Sequence, residues 1–516
     1  MRPTSLQARV ACVAVTAAFI SACSGGTHNY VVPATPETVQ QSTIASNAKG
    51  TRNVRYRLVD VGTLGGPNGG VPEAFLAVDG VTAVPSVSAQ GAAIANDDTS
   101  VADPLQFFDD GFFPNAIVYR DGNLTRLPAL PGSLTSSANS LSKNGTVAGS
   151  SQNGQTDPLT GLPELRAVIW RGGSVVNLGT KDGYNSAAFA VNDKGVAAGY
   201  TTNTTPDAFL GFQQRPARFD HGIVQDLPTL GDAPDAIALL INERGQIAGI
   251  AVPSARTIMN NPCANGGPSP PWKPFLWDNG KLISIGNFGG DCGMVNAMND
   301  RGEVVGQSYQ AGDATGRAFL WQSGVLRDLG TLGGSNASAE AIDDAGDIVG
   351  FADLPGGGCS GLSCIHHGFL LRNGVIHDLR PLAGDPCSRA LAVNNKGQAV
   401  GASVPVCGGA DVHALLWDNG GPPIDLNTVI ALGADLSLFI ALAINDRGII
   451  SGNGMLPNGD VHGFVLVPCT RNCAEVKLGS ASSFDSGGTL TETMQNVQRS
   501  RVFGWHRNRM TPTLKD

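Results

Sequence analysis

A carboxylate recurs at a fixed place in a repeated tetrapeptide, N-D-x-G, at Asn192 to Gly195, Asn299 to Gly302 and Asn445 to Gly448. A repeated acid is a residue type that binds Ca²⁺, but calcium takes six to eight oxygens and one Asp per separated turn does not supply them. Asn or Asp bonding its own backbone, beside a Gly at positive φ, explains the pattern as turn chemistry. A second cluster, Cys359, Cys364, His366 and His367, has the ligand types of a zinc site. A small disulfide loop accounts for its sulfurs, and His367 stands where Arg317 and His413 begin strands, so no metal ligand is assigned.

The third cluster is F-F-D-D-G-F-F, with Phe107, Phe108, Asp109, Asp110, Phe112 and Phe113 as candidate ligand-binding residues. Four aromatics and two acids in one loop have the chemistry to stack a sugar ring or grip a partner. The plainer reading is a loop anchor covering the first structural unit. No G-x-S-x-G, H-E-x-x-H or phosphate-cradling loop occurs, so no catalytic residue and no cofactor are expected. The Trp-docking repeats of a quinone-dependent dehydrogenase are also missing.

The elements that would position these residues come from an internal repeat. Arg317 to Asp353 reads RAFLWQSGVLRDLGTLGGSNASAEAIDDAGDIVGFAD, and Pro274 to Gln307 reads nearly the same sentence. A period of roughly 40 to 50 residues points to stacked sheet units or propeller blades. An aromatic strand end falls at Tyr119, Trp170, Phe219, Trp277, Trp321 and Trp417, with Leu371 and Leu466 standing in. The Asn of A-x-A-I-N falls at Asn96, Asn192, Asn242, Asn299, Asn394 and Asn445, with Ser142 and Asp343 replacing it. Both marks give eight units of four short antiparallel strands. The fold expected is therefore all-β, an eight-bladed β-propeller, with seven blades as the alternative if the degenerate unit at Asn96 to Thr99, which lacks the turn Gly, forms no blade.

Strand size sets the order within a blade. Strands crowd near the axis, so A-x-A-I-N belongs innermost, followed by G-x-V-V-G, A-F-L-W and D-L-G at the rim. L-G-T-L-G-G is then the crossover to the next blade. The chain ends complement one another, since Tyr56 to Gly66 has no F-L-W strand in front of it and His462 to Val467 has no D-L-G strand behind it. Tyr56 to Val61 is expected to pair beside Phe464 to Val467 and close the ring, leaving no open sheet edge. In this phase the N-D-x-G and W-D-N-G turns share one face, and the long loops and crossovers share the other.

Composition fits an exported, folded body. The chain has 516 residues, 42% apolar and 15% charged, with 68 Gly and a formal charge of −9. Tight turns use that Gly, and a modestly acidic balance has no nucleic-acid footprint. Residues 1–22 read as a signal segment: Arg2 and Arg9 precede an apolar run from Val10 to Ile20 that is too short to span a bilayer. The run ends in Ile20-Ser21-Ala22-Cys23, which resembles a bacterial lipobox, with Cys23 as the lipidated residue. Acyl chains anchor stably when two or more are present. Ser24 in the next position implies, by the same resemblance, the outer membrane of a Gram-negative envelope. Residues 23–53 form a polar tether, 54–473 the repeat body, and 474–516 a disordered tail carrying Arg499, Arg501, Arg507 and Arg509 near Phe503 and Trp505.

With Cys12 in the signal segment and Cys23 lipidated, the remaining cysteines are even in number, the usual pattern for disulfides in an oxidising compartment. Neighbours in sequence pair Cys263 with Cys292, Cys359 with Cys364, Cys387 with Cys407, and Cys469 with Cys473, although connectivity is open at this stage.

The motif pieces HAFLW-x-x-G, D-L-G-T-L-G-G, A-x-A-I-N-x-x-G and V-V-G-x-S, matched at Arg317 to Ala352 and Lys273 to Ser308 and more loosely from Asn96 to Leu466, resemble HAF-type bacterial extracellular repeats. That resemblance implies a propeller and an extracellular address rather than a chemistry. The function expected is a membrane-anchored, non-enzymatic binding or scaffold module for a glycan or protein partner, with no nucleic-acid partner. A carbohydrate-active enzyme using acids on the long-loop face is the alternative.

Overall fold

The computed structural model describes residues 55–74, 82–83, 86–102, 112–207, 211–231, 233–252, 271–356, 364–407, 410–430, 434–469 and 476–477. They form eight antiparallel blades in a ring, an eight-bladed β-propeller. In the fifth blade Gly289–Met298, Val304–Gln310, Gly316–Gln322 and Val325–Asp328 follow one another outward, each paired with the next. The A-x-A-I-N strands line the central cavity, as their small side chains require. The aromatic of each third strand is buried between blades: Trp170 is 1% and Trp417 0% exposed, and their indole N–H groups donate to the Pro128 and Arg380 carbonyls of the preceding crossovers.

The ring closes as the chain ends required. Arg55–Gly62 is the fourth strand of the last blade, with Tyr56 opposite Pro468, Leu58 opposite Leu466 and Asp60 opposite Phe464. Val476–Lys477, assigned to the tail by sequence, adds a short parallel pairing on the outer side of that strand.

The first blade forms, but its turn is not where the Asn mark placed it. Asn96 lies in Ala93–Ala102, the second strand, whose Ala93 sits opposite Tyr119 as Val147 sits opposite Trp170 in the next blade. The turn is Ser88 to Gly91. The Ser88 N–H donates to the Ala92 carbonyl at 2.8 Å, the Gly91 N–H to the Ser88 carbonyl at 3.0 Å, and the Ala92 N–H to Ser88 Oγ at 3.0 Å. The same three bonds are made by Asn192, Gly195 and Val196 in the third blade. Gly91, at a φ of 92°, is the turn glycine that the sequence reading had missed. Asn96 instead ties the first blade to the second, accepting from the Ala138 N–H at 2.7 Å and donating to its carbonyl at 2.9 Å.

One irregularity repeats around the axis. In the inner strands of the second to eighth blades the register slips at the third residue before the turn, as between Ala138 and Ser140 or Ala339 and Ala341. This bulge pushes an inner-strand carbonyl against the Gly of V-V-G: a Cβ on Gly306 would sit 2.0 Å from the Met294 oxygen, and one on Gly199 1.9 Å from the Ala187 oxygen. Only glycine fits there. The first blade has Ala95 at the equivalent position, opposite Ile117.

The candidate site in the central channel

The turn residues build one mouth of the channel. In Asn192, Oδ1 accepts the Lys194 and Val196 N–H groups at 3.1 Å, which is the local turn chemistry expected. Its Nδ2 does something the sequence did not disclose: it donates to the Asn242 carbonyl, the same position in the next blade. Asn242 donates in turn to Asn299, Asn299 to Asp343, Asn394 to Asn445, and Asn445 across the closure to Ser88.

The Asp that follows does not bond its own turn. Asp193, Glu243, Asp300, Asp344 and Asp446 each accept a backbone N–H from the preceding blade, at 2.7 to 3.0 Å. The third residue completes the pattern, as Lys194 Nζ donates to the Glu243 carbonyl and Arg447 Nη1 to the Gln90 carbonyl. Among the described residues no group of three or more His, Cys, Asp or Glu is arranged to hold a metal ion.

Lys143 of the second blade departs from this ring. Its ammonium crosses the mouth to Asp300 at 2.6 Å and Asp344 at 2.9 Å, on the fifth and sixth blades. Burial alone would lower the Lys143 pKa, but the hydrogen bonds to the two carboxylates outweigh it and hold it above the usual lysine value. For Asp344 burial pulls upward, while the Asp300 N–H and the ammonium win and keep its pKa low. Glu243 lies on the raised side, through burial first and the Asp193 charge after it. The sequence signal for the crossing was slight: Lys where the turns of the third to eighth blades have Asp, Glu or Asn.

Behind this mouth is a cavity of 520 Å³. The bulge residues line it: Phe189, Leu239, Leu391 and Leu442 make apolar arcs, and Asn139, Asn296 and Glu340 make polar ones. Asn139 and Asn296 each donate to the carbonyl preceding the next blade's bulge, at Ala188 and Ala339. Glu340 is 1% exposed and accepts from Ser338 Oγ. None of these was singled out from sequence, because the bulge that aims them is not a composition signal.

The sequence-derived candidates fare differently. Phe107, Phe108, Asp109 and Asp110 lie outside the described residues, as do Cys23 and its flanks. Phe112 and Phe113 begin the third strand of the first blade, Phe112 opposite Ala102 and half-buried, Phe113 buried at 9% exposure. Cys387 and Cys407 form a disulfide with Cα atoms 5.5 Å apart, tying an inner strand to a long loop. Cys292, Cys364 and Cys469 are also disulfide-bonded; the partners expected for them, Cys263, Cys359 and Cys473, lie outside the described residues.

The histidines weighed for zinc serve the blades. His367 Nδ1 lies 2.8 Å from Asp378, as His462 lies 2.8 Å from Asp60 and Arg317 2.9 Å from Asp328, each joining a third strand to its fourth. His366 packs at a tilt against Phe351, 5.4 Å between centroids and 58° between ring planes, and burial lowers its pKa.

Asp97 and Asp98, read as part of a degenerate turn, lie instead in the second strand of the first blade, near the closure. Asp98 Oδ2 accepts the Asn68 N–H at 3.1 Å. Asp97 is 1% exposed, and its pKa is driven well above the ordinary carboxylate value by burial, then by Asp98 and Asp60.

No protein-family model matches this sequence, and no curated protein does. Solved structures to which the chain is weakly similar include the β-propeller domain of the Trilobed protease from Pyrococcus furiosus, 9% identical with a TM-score of 0.38 over 79% of this chain and 99% of that one. The Pyrococcus horikoshii acylaminoacyl peptidase is 8% identical, with a TM-score of 0.39 over 72% and 57%. The Trypanosoma rangeli sialidase is 8% identical, with a TM-score of 0.31 over 82% and 95%. At values this low, none of the activities in those names transfers to this chain.

Proposed function

We propose that this protein is an exported, lipid-anchored binding or scaffold module, presenting the long-loop face of its propeller to a glycan or protein partner. The observation that carries the reading is the state of the turn acids. Asp193, Glu243, Asp300, Asp344 and Asp446 are each held by a neighbouring blade's N–H, and Lys143 crosses between two of them. Glycoside hydrolysis needs one carboxyl to give a proton and a second to attack or activate water. Carboxylates committed to backbone N–H groups suit architecture instead, which leaves the opposite face as the surface for a glycan or protein partner.

The N-terminal lipobox resemblance and the HAF-like motif pieces support the envelope address. A glycan array and a hydrolysis screen on the purified chain, repeated with Phe112→Ala and Asp110→Ala, test the reading. Saturable binding without turnover, weakened by both changes, is the expected result. Turnover that survives both would overturn it and direct attention to acids elsewhere on the ring.

A further inference from the structure

The channel has the features of a small-molecule site in its own right, independent of any partner on the long-loop face. Its volume, 520 Å³, lies within the range of roughly 300 to 1,000 Å³ typical of such sites. Polar turn residues ring its mouth, and deeper in, where the walls are largely apolar, the polar side chains are Asn139 and Ser140 on the second blade and Asn296 and Glu340 on the fifth and sixth, with Asp343 at the sixth blade's turn beside them.

Buried polar atoms are normally satisfied, so those that are not point to a missing partner. Ser140 Oγ, Asn296 Oδ1 and Asp343 Oδ2 have no hydrogen-bond partner, and all three residues line this one cavity. Ser140 is 2%, and Asn296 and Asp343 6% exposed. Two of these atoms only accept, and the third accepts as readily as it donates. The carboxyl of Glu340 stands next to Asn296, whose Nδ2 reaches its Oε1 at 3.4 Å. A ligand head for this arc must therefore donate, and a positive charge complements the acid. An ammonium supplies three N–H donors and that charge.

We propose that the central channel binds a small primary amine on an aromatic or aliphatic body, with its ammonium at Asn296 and Glu340 and its apolar part against Phe189, Leu239, Leu391 and Leu442. Lys143, crossing between blades at the turn-side mouth, is the lid on that side.

The test is titration calorimetry on the full chain with tryptamine, the neutral analogue tryptophol and the anionic analogue indole-3-propionate. Tryptamine binds saturably, and indole-3-propionate binds about tenfold more weakly or not at all. Glu340→Gln preserves side-chain size, and weakens tryptamine by about tenfold while leaving tryptophol unchanged. Ala392→Phe, on the channel wall, abolishes both; Ala297→Phe provides the same block should the first variant melt early. Absence of saturable tryptamine binding, equal binding of the anionic analogue, or binding that persists in a folded wall variant would each overturn the proposal.

Discussion

At the scale of the residue, the turn asparagine does two jobs that can be separated. Asn192 Oδ1 closes its own turn, while Nδ2 fastens the next blade. Asn192→Ala removes both and leaves buried backbone N–H groups without an acceptor, a loss of about 2 to 3 kcal/mol in urea denaturation. Asn192→Asp keeps the acceptor, as Asp343 does in the sixth blade's turn, and forfeits the donor, costing about 1 kcal/mol. The first job was legible in the sequence, because Asx turns follow from one residue and its neighbours. The second was not, nor was the role of the acids, since both depend on where an adjacent blade places its carbonyl or N–H. Asp97 gives a pH dependence. Its folded pKa lies above the ordinary 3.8, so the folded state retains a proton that the unfolded chain releases. Its contribution is full below about 3.8 and is lost as pH rises through the folded pKa. Asp97→Asn removes that loss: melts across the range should show the variant more stable than the parent at neutral pH, the gap closing towards pH 4.

At the scale of the element, the repeat phase was readable because two independent marks, the buried aromatic and the small inner strand, had to agree around the ring. It failed in one unit for a definable reason. Asn96-Asp97 carries the letters of the turn, but Ser88-Ala89-Gln90-Gly91 carries its geometry, and a Ser Oγ replaces an Asn Oδ1 as acceptor. The V-V-G glycine was visible without its cause. The bulge that requires it arises from the meeting of two strands, and predicts that Gly306→Ala destabilises by about 1 to 3 kcal/mol, since the Met294 oxygen is backbone and must move. Ala95, in the first blade, is the built-in counterexample. The Cys387–Cys407 bridge spans a sequence separation of 20. Loop entropy puts its contribution at about 3 kcal/mol, so the Cys387→Ser, Cys407→Ser pair should lower the denaturation midpoint accordingly, with the slope as a check on unfolded-state compactness.

At the scale of the whole molecule, each blade leans on the next, so a ring that fails to close loses more than one strand. Two kinds of contact make the seam: strand pairing between Arg55–Gly62 and Val461–Cys469, and side-chain links from Asn445 to Ser88 and from the Val71 N–H to Asn453. The first was legible from complementary chain ends, the second from nothing in the sequence. Lys143→Met removes the only side chain among the described residues that spans the turn-side mouth to two other blades. Because that pair is partly exposed, its loss should cost about 1 kcal/mol or less in stability, while speeding exchange of any channel ligand. The central structural claim, a ring of eight blades completed by its own N-terminal strand, is tested most directly by native-state hydrogen exchange read by mass spectrometry on peptides covering residues 55–62. Protection equal to that of residues 461–469, lost together with it as denaturant rises, is the predicted result. Rapid exchange of residues 55–62 while 461–469 stays protected would contradict the closed ring.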